Sequence, residues 1–133
     1  RRATLRRYLT LCTSSITSLN RQFPHSYSGL STGVCLIEAE SSGRTDAVGG
    51  PDEDGSHDYG LFQINDRYWC SSGEAPGKEC QMKCQDLLLD NITTASVCTK
   101  KIYGLQGFGA WVGWLNECRD KDLPDLSHCE DTK

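Results

Sequence analysis

An α+β fold, mostly helical with a small antiparallel sheet, is predicted by three observations: apolar residues at helical spacing towards both ends, a turn-rich middle without that spacing, and eight cysteines in 133 residues. Leu5, Tyr8, Leu9, Cys12 and Ile16 recur at three- and four-residue intervals, which reads as an amphipathic first helix with its arginines on other faces. A membrane-surface helix is the alternative reading of this basic stretch. A second helix is expected over about 30–42, with Leu30, Val34 and Ile37 on one face and Gly43 as its stop signal. From Thr45 to about Ile64 the helical period disappears. Gly49-Gly50-Pro51 and Asp54-Gly55 mark turns there between short strand candidates, so a small antiparallel sheet is expected. Cysteines and glycines then dominate to about Lys83, as in a long loop held by disulfides. Helical stretches follow near Asp90 to Tyr103 and from Phe108 to Cys118.

The chain length suits one domain, taken as residues 1–133, with a modest core. A hydrophobic fraction of 37% and a mean hydropathy of −0.51, with no long apolar run, argue against a membrane span. An even number of cysteines in so short a chain points to an oxidising, extracellular setting. No charged-then-apolar leader opens the sequence, as expected of a mature secreted chain. The net charge of −4 is uneven: residues 1–37 carry five arginines and no acid, leaving nine bases against 18 acids in the rest. That acidic body counts against nucleic acid as a partner. Eight cysteines can pair in 105 ways. Cys80 and Cys84 also show the C-x3-C spacing of some zinc sites.

Glu40-Ser41-Ser42 precedes the run His57-Asp58-Tyr59-Gly60-Leu61-Phe62-Gln63-Ile64-Asn65, and Cys35 lies five residues before Glu40. Two carboxyls in unlike surroundings suit glycoside cleavage, in which one holds a proton for the leaving oxygen and the other stays ionised beside the sugar cation. These motifs, with the eight cysteines and the segment Ala110-Trp111-Val112-Gly113-Trp114, closely resemble the c-type lysozymes, particularly their invertebrate members. Lysozyme is itself the type case for that division of labour.

The resemblance implies a cleft between a helical and a sheet part, and disulfides Cys12–Cys129, Cys35–Cys118, Cys70–Cys84 and Cys80–Cys98. It implies Glu40 as general acid, with Trp111 packed on its carboxyl, and Asp58 as nucleophile or ionic stabiliser. Helical spacing alone does not separate Glu40 from Glu38, whose neighbours are equally apolar. Ser56 and Asn65 match polar positions around Asp58, and their hydrogen bonds are expected to keep its pKa low. His57 is adjacent, but neighbouring strand residues point to opposite faces, so no role is assigned to it. Tyr68 and Trp69 match the aromatic pair at the cleft edge, where a pyranose offers an apolar face. Asn65, Trp111 and the backbone of Ala110 match a subsite for an N-acetyl group, and Gln63 lies nearby. Core packing is the alternative reading of each aromatic, and Trp111 suits both roles.

Several positions depart from the family pattern. Gly33 stands where a large aromatic is usual, and Tyr103-Gly104-Leu105-Gln106-Gly107 is one residue short and lacks an aspartate that helps bind distal sugars. Asp52 and Asp54 crowd the hairpin turn with negative charge. Some relatives bind calcium through closely spaced aspartates. The matching segment here carries Leu89, Thr94 and Ala95, so no metal site is expected. Asn91-Ile92-Thr93 is an N-glycosylation acceptor sequence, while Asp90 or Asn91 also suits a helix cap.

The expectation is a secreted, monomeric, cofactor-free retaining hydrolase of the β-1,4 bond between N-acetylmuramic acid and N-acetylglucosamine in bacterial cell-wall polysaccharide, with chitooligosaccharides as candidate further partners whose cleavage the sequence leaves open. The rival is a non-enzymatic saccharide-binding or regulatory relative, since one scaffold hosts several functions. Such relatives commonly lack one or both carboxylates, and both are present here.

Overall fold

In the computed structural model, residues 29–122 are described. The expected helix around Leu5 to Ile16 and the Cys12–Cys129 bridge lie outside the described residues.

Helix α1, Gly29–Ser41, matches the expected second helix. Val34, Leu36 and Ile37 are buried in it, and it ends where Ser42 and Gly43 both take positive φ, the left-handed turn that closes many helices. A three-stranded antiparallel sheet follows, with strands β1 (Val48–Gly49), β2 (Asp58–Tyr59) and β3 (Ile64–Asn65) in that order. Each strand is only two residues long, so the turns define the sheet. Gly60 at the β2–β3 turn has φ +78°, and a Cβ there would stand 2.1 Å from the Leu87 carbonyl oxygen. Only glycine meets both demands.

The loop beyond β3 is held as expected: Cys70 is bonded to Cys84, and Cys80 to Cys98. The C-x3-C spacing thus belongs to two disulfides. A short 3-10 helix, Cys84–Leu88, which the sequence did not signal, seats the buried Leu87. Helix α2 is Thr93–Gln106, with Ala95, Cys98 and Ile102 buried. The N-cap position falls to Ile92, which makes no side-chain cap, so neither proposed residue occupies it, though Asn91 stands just before. Its Oδ1 accepts the Thr93 N–H at 2.9 Å, whereas Asp90 accepts from the Thr45 hydroxyl.

The continuous helix expected from Phe108 to Cys118 is broken. A 3-10 turn covers Phe108–Ala110, Trp111 is extended (φ −108°, ψ 113°), and helix α3 runs Val112–Glu117. The extended residue lets the buried indole Nε1 donate to the Phe62 carbonyl at 2.9 Å. Glycines at 107, 109 and 113 weaken the competing helix. Cys35–Cys118 fastens α1 to α3. Gly33 is buried without a side chain. Aromatic packing nearby in sequence to α3 comes from Phe108, 4.5 Å from Tyr103 and 5.2 Å from Trp114 between ring centroids.

One hydrophobic cluster joins helices and sheet, through Ile37, Phe62, Ile64, Leu87, Ile102 and Trp111 among others. Two buried hydrogen bonds converge on the β2–β3 turn. Ser41 Oγ from α1 donates to the Leu61 carbonyl at 2.7 Å, and the Trp111 indole donates to the next carbonyl, that of Phe62. The last turn of α1 is thereby held against the sheet. No helix among the described residues is long and apolar enough to cross a membrane.

Candidate active site

Glu40 lies in that last turn of α1 and lines a cavity of about 380 Å³ together with Asp58, Asp52, Gln63, Asn65 and Trp69. Ile64, Ile102, Ala110, Trp111 and Val112 complete the wall. Glu38 is not among the lining residues of this cavity, which separates the two glutamates that helical spacing left equivalent. Burial pushes the Glu40 carboxyl up to about 7, the Asp58 charge adds to the rise, and a hydrogen bond from the Gly113 backbone opposes it. Glu40 therefore holds a proton close to neutrality, which is what a general acid requires.

Asp58 is placed by register. It pairs directly with Asn65 across β2 and β3, so the two side chains share a face. Asn65 Nδ2 donates to Asp58 Oδ1 at 3.0 Å. The same nitrogen lies 2.8 Å from Ser56 Oγ. Asn65 is thus in place as expected, whereas the described hydrogen bonds of Ser56 go to Asn65, Asp52 and Asp54 and not to Asp58, and the expected low pKa is not found. Asp58 is pushed up to about 6, by burial first, against the Asn65 hydrogen bond, with Asp52 and Asp66 adding to the rise. Burial together with two further carboxylates outweighs one amide.

A second, more open cavity of about 610 Å³ continues from the first past Asp58, Asn65, Trp69 and Ala110 to Ser56, Tyr68 and Gln106. Tyr68 is 57% exposed at the cavity edge. Arg67 lies over that ring, 5.2 Å from its centroid, and is held by Asp54 at 2.7 Å. Ser56 and Arg67 hold the Asp54 carboxyl far below the usual carboxylate range. Trp111 is buried and lines the inner cavity, so it is both core and wall. Gln63 also lines the inner cavity, yet its Nε2 donates to the carbonyls of Ala47 and Gly60, which binds it into the turn. His57 lines neither cavity.

All nine sequence-derived site residues apart from the cysteines, namely Glu40, Ser56, Asp58, Gln63, Asn65, Tyr68, Trp69, Ala110 and Trp111, line one or the other cavity. Two residues gain roles that sequence reasoning missed. Asp52, read there as turn charge, lines both cavities. Gly113 packs against Glu40, since a Cβ at that position would stand 2.5 Å from Oε2. Charge density at 52–54 was a signal for the first, and nothing local signalled the second.

The sequence profile of the C-type lysozyme/alpha-lactalbumin family matches residues 8–129. A lysozyme of Galleria mellonella is 58% identical over 96 residues, spanning 72% of this chain and 79% of that protein. A lysozyme of Hyalophora cecropia is 53% identical over 100 residues, spanning 75% and 71% respectively. A lysozyme of Bombyx mori is 57% identical over 96 residues, spanning 72% and 69%. With both helices and sheet in place and the matched residues gathered at one cleft, the chain belongs to the C-type lysozyme/alpha-lactalbumin family.

Proposed function

We propose that the chain is a secreted lysozyme in which Glu40 and Asp58 perform retaining hydrolysis of the β-1,4 bond between N-acetylmuramic acid and N-acetylglucosamine in peptidoglycan. The supporting observation is a pair of carboxyls lining one cavity in unlike surroundings, one against apolar walls and one hydrogen-bonded to an amide. Glu40 donates its proton to the leaving glycosidic oxygen. Asp58, ionised, stabilises or captures the oxocarbenium-like sugar, and Glu40 then takes a proton from the attacking water. Trp69 and Tyr68 offer faces to the sugar rings, while Asn65 and the Ala110 backbone bind an N-acetyl group. Gln63 and Ser56 act from behind, ordering the turn and Asp58. Chitooligosaccharides share the N-acetylglucosamine unit and are expected as weaker substrates. Disulfides in a short chain support an extracellular site of action, and the chain is taken to work as a monomer.

The test is release of reducing sugar from purified peptidoglycan at low salt, across acidic to neutral pH. Glu40→Gln is expected to lower kcat by about 10²–10⁴ with saccharide binding retained. Asp58→Asn should lower it by about 10² or more, having removed the charge that faces the sugar cation. A native chain that binds chitooligosaccharide but releases no sugar at any pH refutes the reading in favour of a binding protein.

A further inference from the structure

We propose that Asp52 and Asp58 form one proton-sharing carboxyl pair bridged by Asn65, with Asp52 as the positioning residue that sets the acid limit of the reaction. This rests on the reading of Asp58 as the group that works ionised.

The hydrogen-bond inventory carries the inference. Asn65 Nδ2 lies 3.3 Å from Asp52 Oδ2, 2.8 Å from Ser56 Oγ and 3.0 Å from Asp58 Oδ1. Ser56 Oγ in turn reaches Asp52 Oδ2 at 3.3 Å and Asp54 Oδ1. These five contacts draw on only three hydrogens, two from the amide and one from the hydroxyl. With every carboxylate ionised, two contacts have no hydrogen between them. Asp52 and Asp58 also line the same cavity and crowd the same amide nitrogen, at 3.3 and 3.0 Å. A proton on Asp52 Oδ2 turned to Ser56 Oγ fills one of the two empty contacts, since the hydroxyl then gives its own hydrogen to Asp54, and one proton per Asp52–Asp58 pair removes a like-charge repulsion, as in other close carboxyl pairs.

The surroundings leave Asp52 as the partner. Glu40 faces Asp58 across the cavity from α1, and it is also an acid. Asp66, from the segment after β3, already accepts from the His57 backbone N–H at 3.1 Å and from the Tyr59 hydroxyl at 3.1 Å. Asp54 is satisfied by Arg67 and Ser56, and that arginine is thereby engaged. No lysine or arginine lines either described cavity. Asp52 alone among these carboxylates depends wholly, among its described side-chain contacts, on donors it shares with Asp58 or Asp54. Its place is fixed by the β1–β2 loop, where its backbone N–H donates to the Ser56 carbonyl at 2.8 Å. The raised pKa of Asp58 agrees with this arrangement.

When the pair takes up its shared proton, the charge facing the sugar is diluted and turnover falls. The chain then works near neutrality and is silenced in acid.

The experiment follows the side-chain carboxyl carbons of Asp52 and Asp58 by NMR against pH, in the native chain, Asp52→Asn and Asp66→Asn. In the native chain both carbons are expected to report the same two inflections. In Asp52→Asn the Asp58 midpoint should fall by about one pH unit, with Asp66→Asn moving it less than half as far. The acid limb of kcat/KM should follow the same order. Separate single inflections in the native chain overturn the proposal, as does an unmoved midpoint in Asp52→Asn or an equal shift in Asp66→Asn. The titration needs no turnover, so an inactive chain would refute the catalytic reading while still testing the pair.

Discussion

Gly113 leaves the space that the Glu40 carboxyl fills. It also supplies the backbone N–H that favours the ionised carboxylate. Gly113→Ala gains helix propensity, worth up to about 1 kcal/mol, but its methyl meets Oε2 and displaces a flexible side-chain end. Unfolding free energy should therefore change by less than about 1 kcal/mol. The carboxyl, moved off its donor and further desolvated, should titrate higher, carrying the base limb of the pH–rate profile upward. A base limb that moves down contradicts this geometry. Glu40 and Asp58 were singled out by matched motifs, and they line one cavity. Gly113 was not, because its closeness to Glu40 depends on the approach of α1 to α3, fixed by Cys35–Cys118, which are 83 residues apart.

At the scale of elements, the β2–β3 turn is held by one side chain from the end of α1 and one from the extended residue before α3. Ser41 is buried, so Ser41→Ala leaves the Leu61 carbonyl without its donor in a dry place. The expected cost is about 1–3 kcal/mol. Thr45→Ala loses an exposed hydroxyl bond to Asp90 and should cost less than about 0.5 kcal/mol. Denaturant unfolding of both variants checks the contrast, and equal losses would show that the turn is not anchored this way. The first described helix was legible to within a residue at each end, from apolar spacing and a closing glycine. The break at Trp111 was not. The apolar spacing continues through it, and the competing bond is to Phe62, 49 residues away. Strands of two residues likewise carry no period of their own, and only their turns gave them away.

For the molecule as a whole, Glu40 and Asp58 both bind protons more tightly when folded than when unfolded. Their contribution to stability is thus fully present below the ordinary carboxyl range and is lost as pH rises through about 6 and then about 7. Asp54 acts in the opposite sense, its contribution fading only in strong acid. Tm is therefore expected to rise as pH is lowered from about 8 to about 5, and Glu40→Gln should flatten that rise. Calorimetry at fixed ionic strength decides it, since a Tm that falls over this interval would mean that neither carboxyl is raised. The acidic composition announced crowding but not its target. Which of Asp52, Asp54 and Asp66 faces Asp58 is settled by turn geometry and by a single arginine. The Leu61 and Phe62 carbonyls, each claimed by a side chain from a different segment, leave their turn no room for a residue more or less. A change of length in the loop 50–57 would instead remould the outer cavity wall and, through Asp52 and Ser56, the setting of Asp58, while leaving Glu40 seated on its helix.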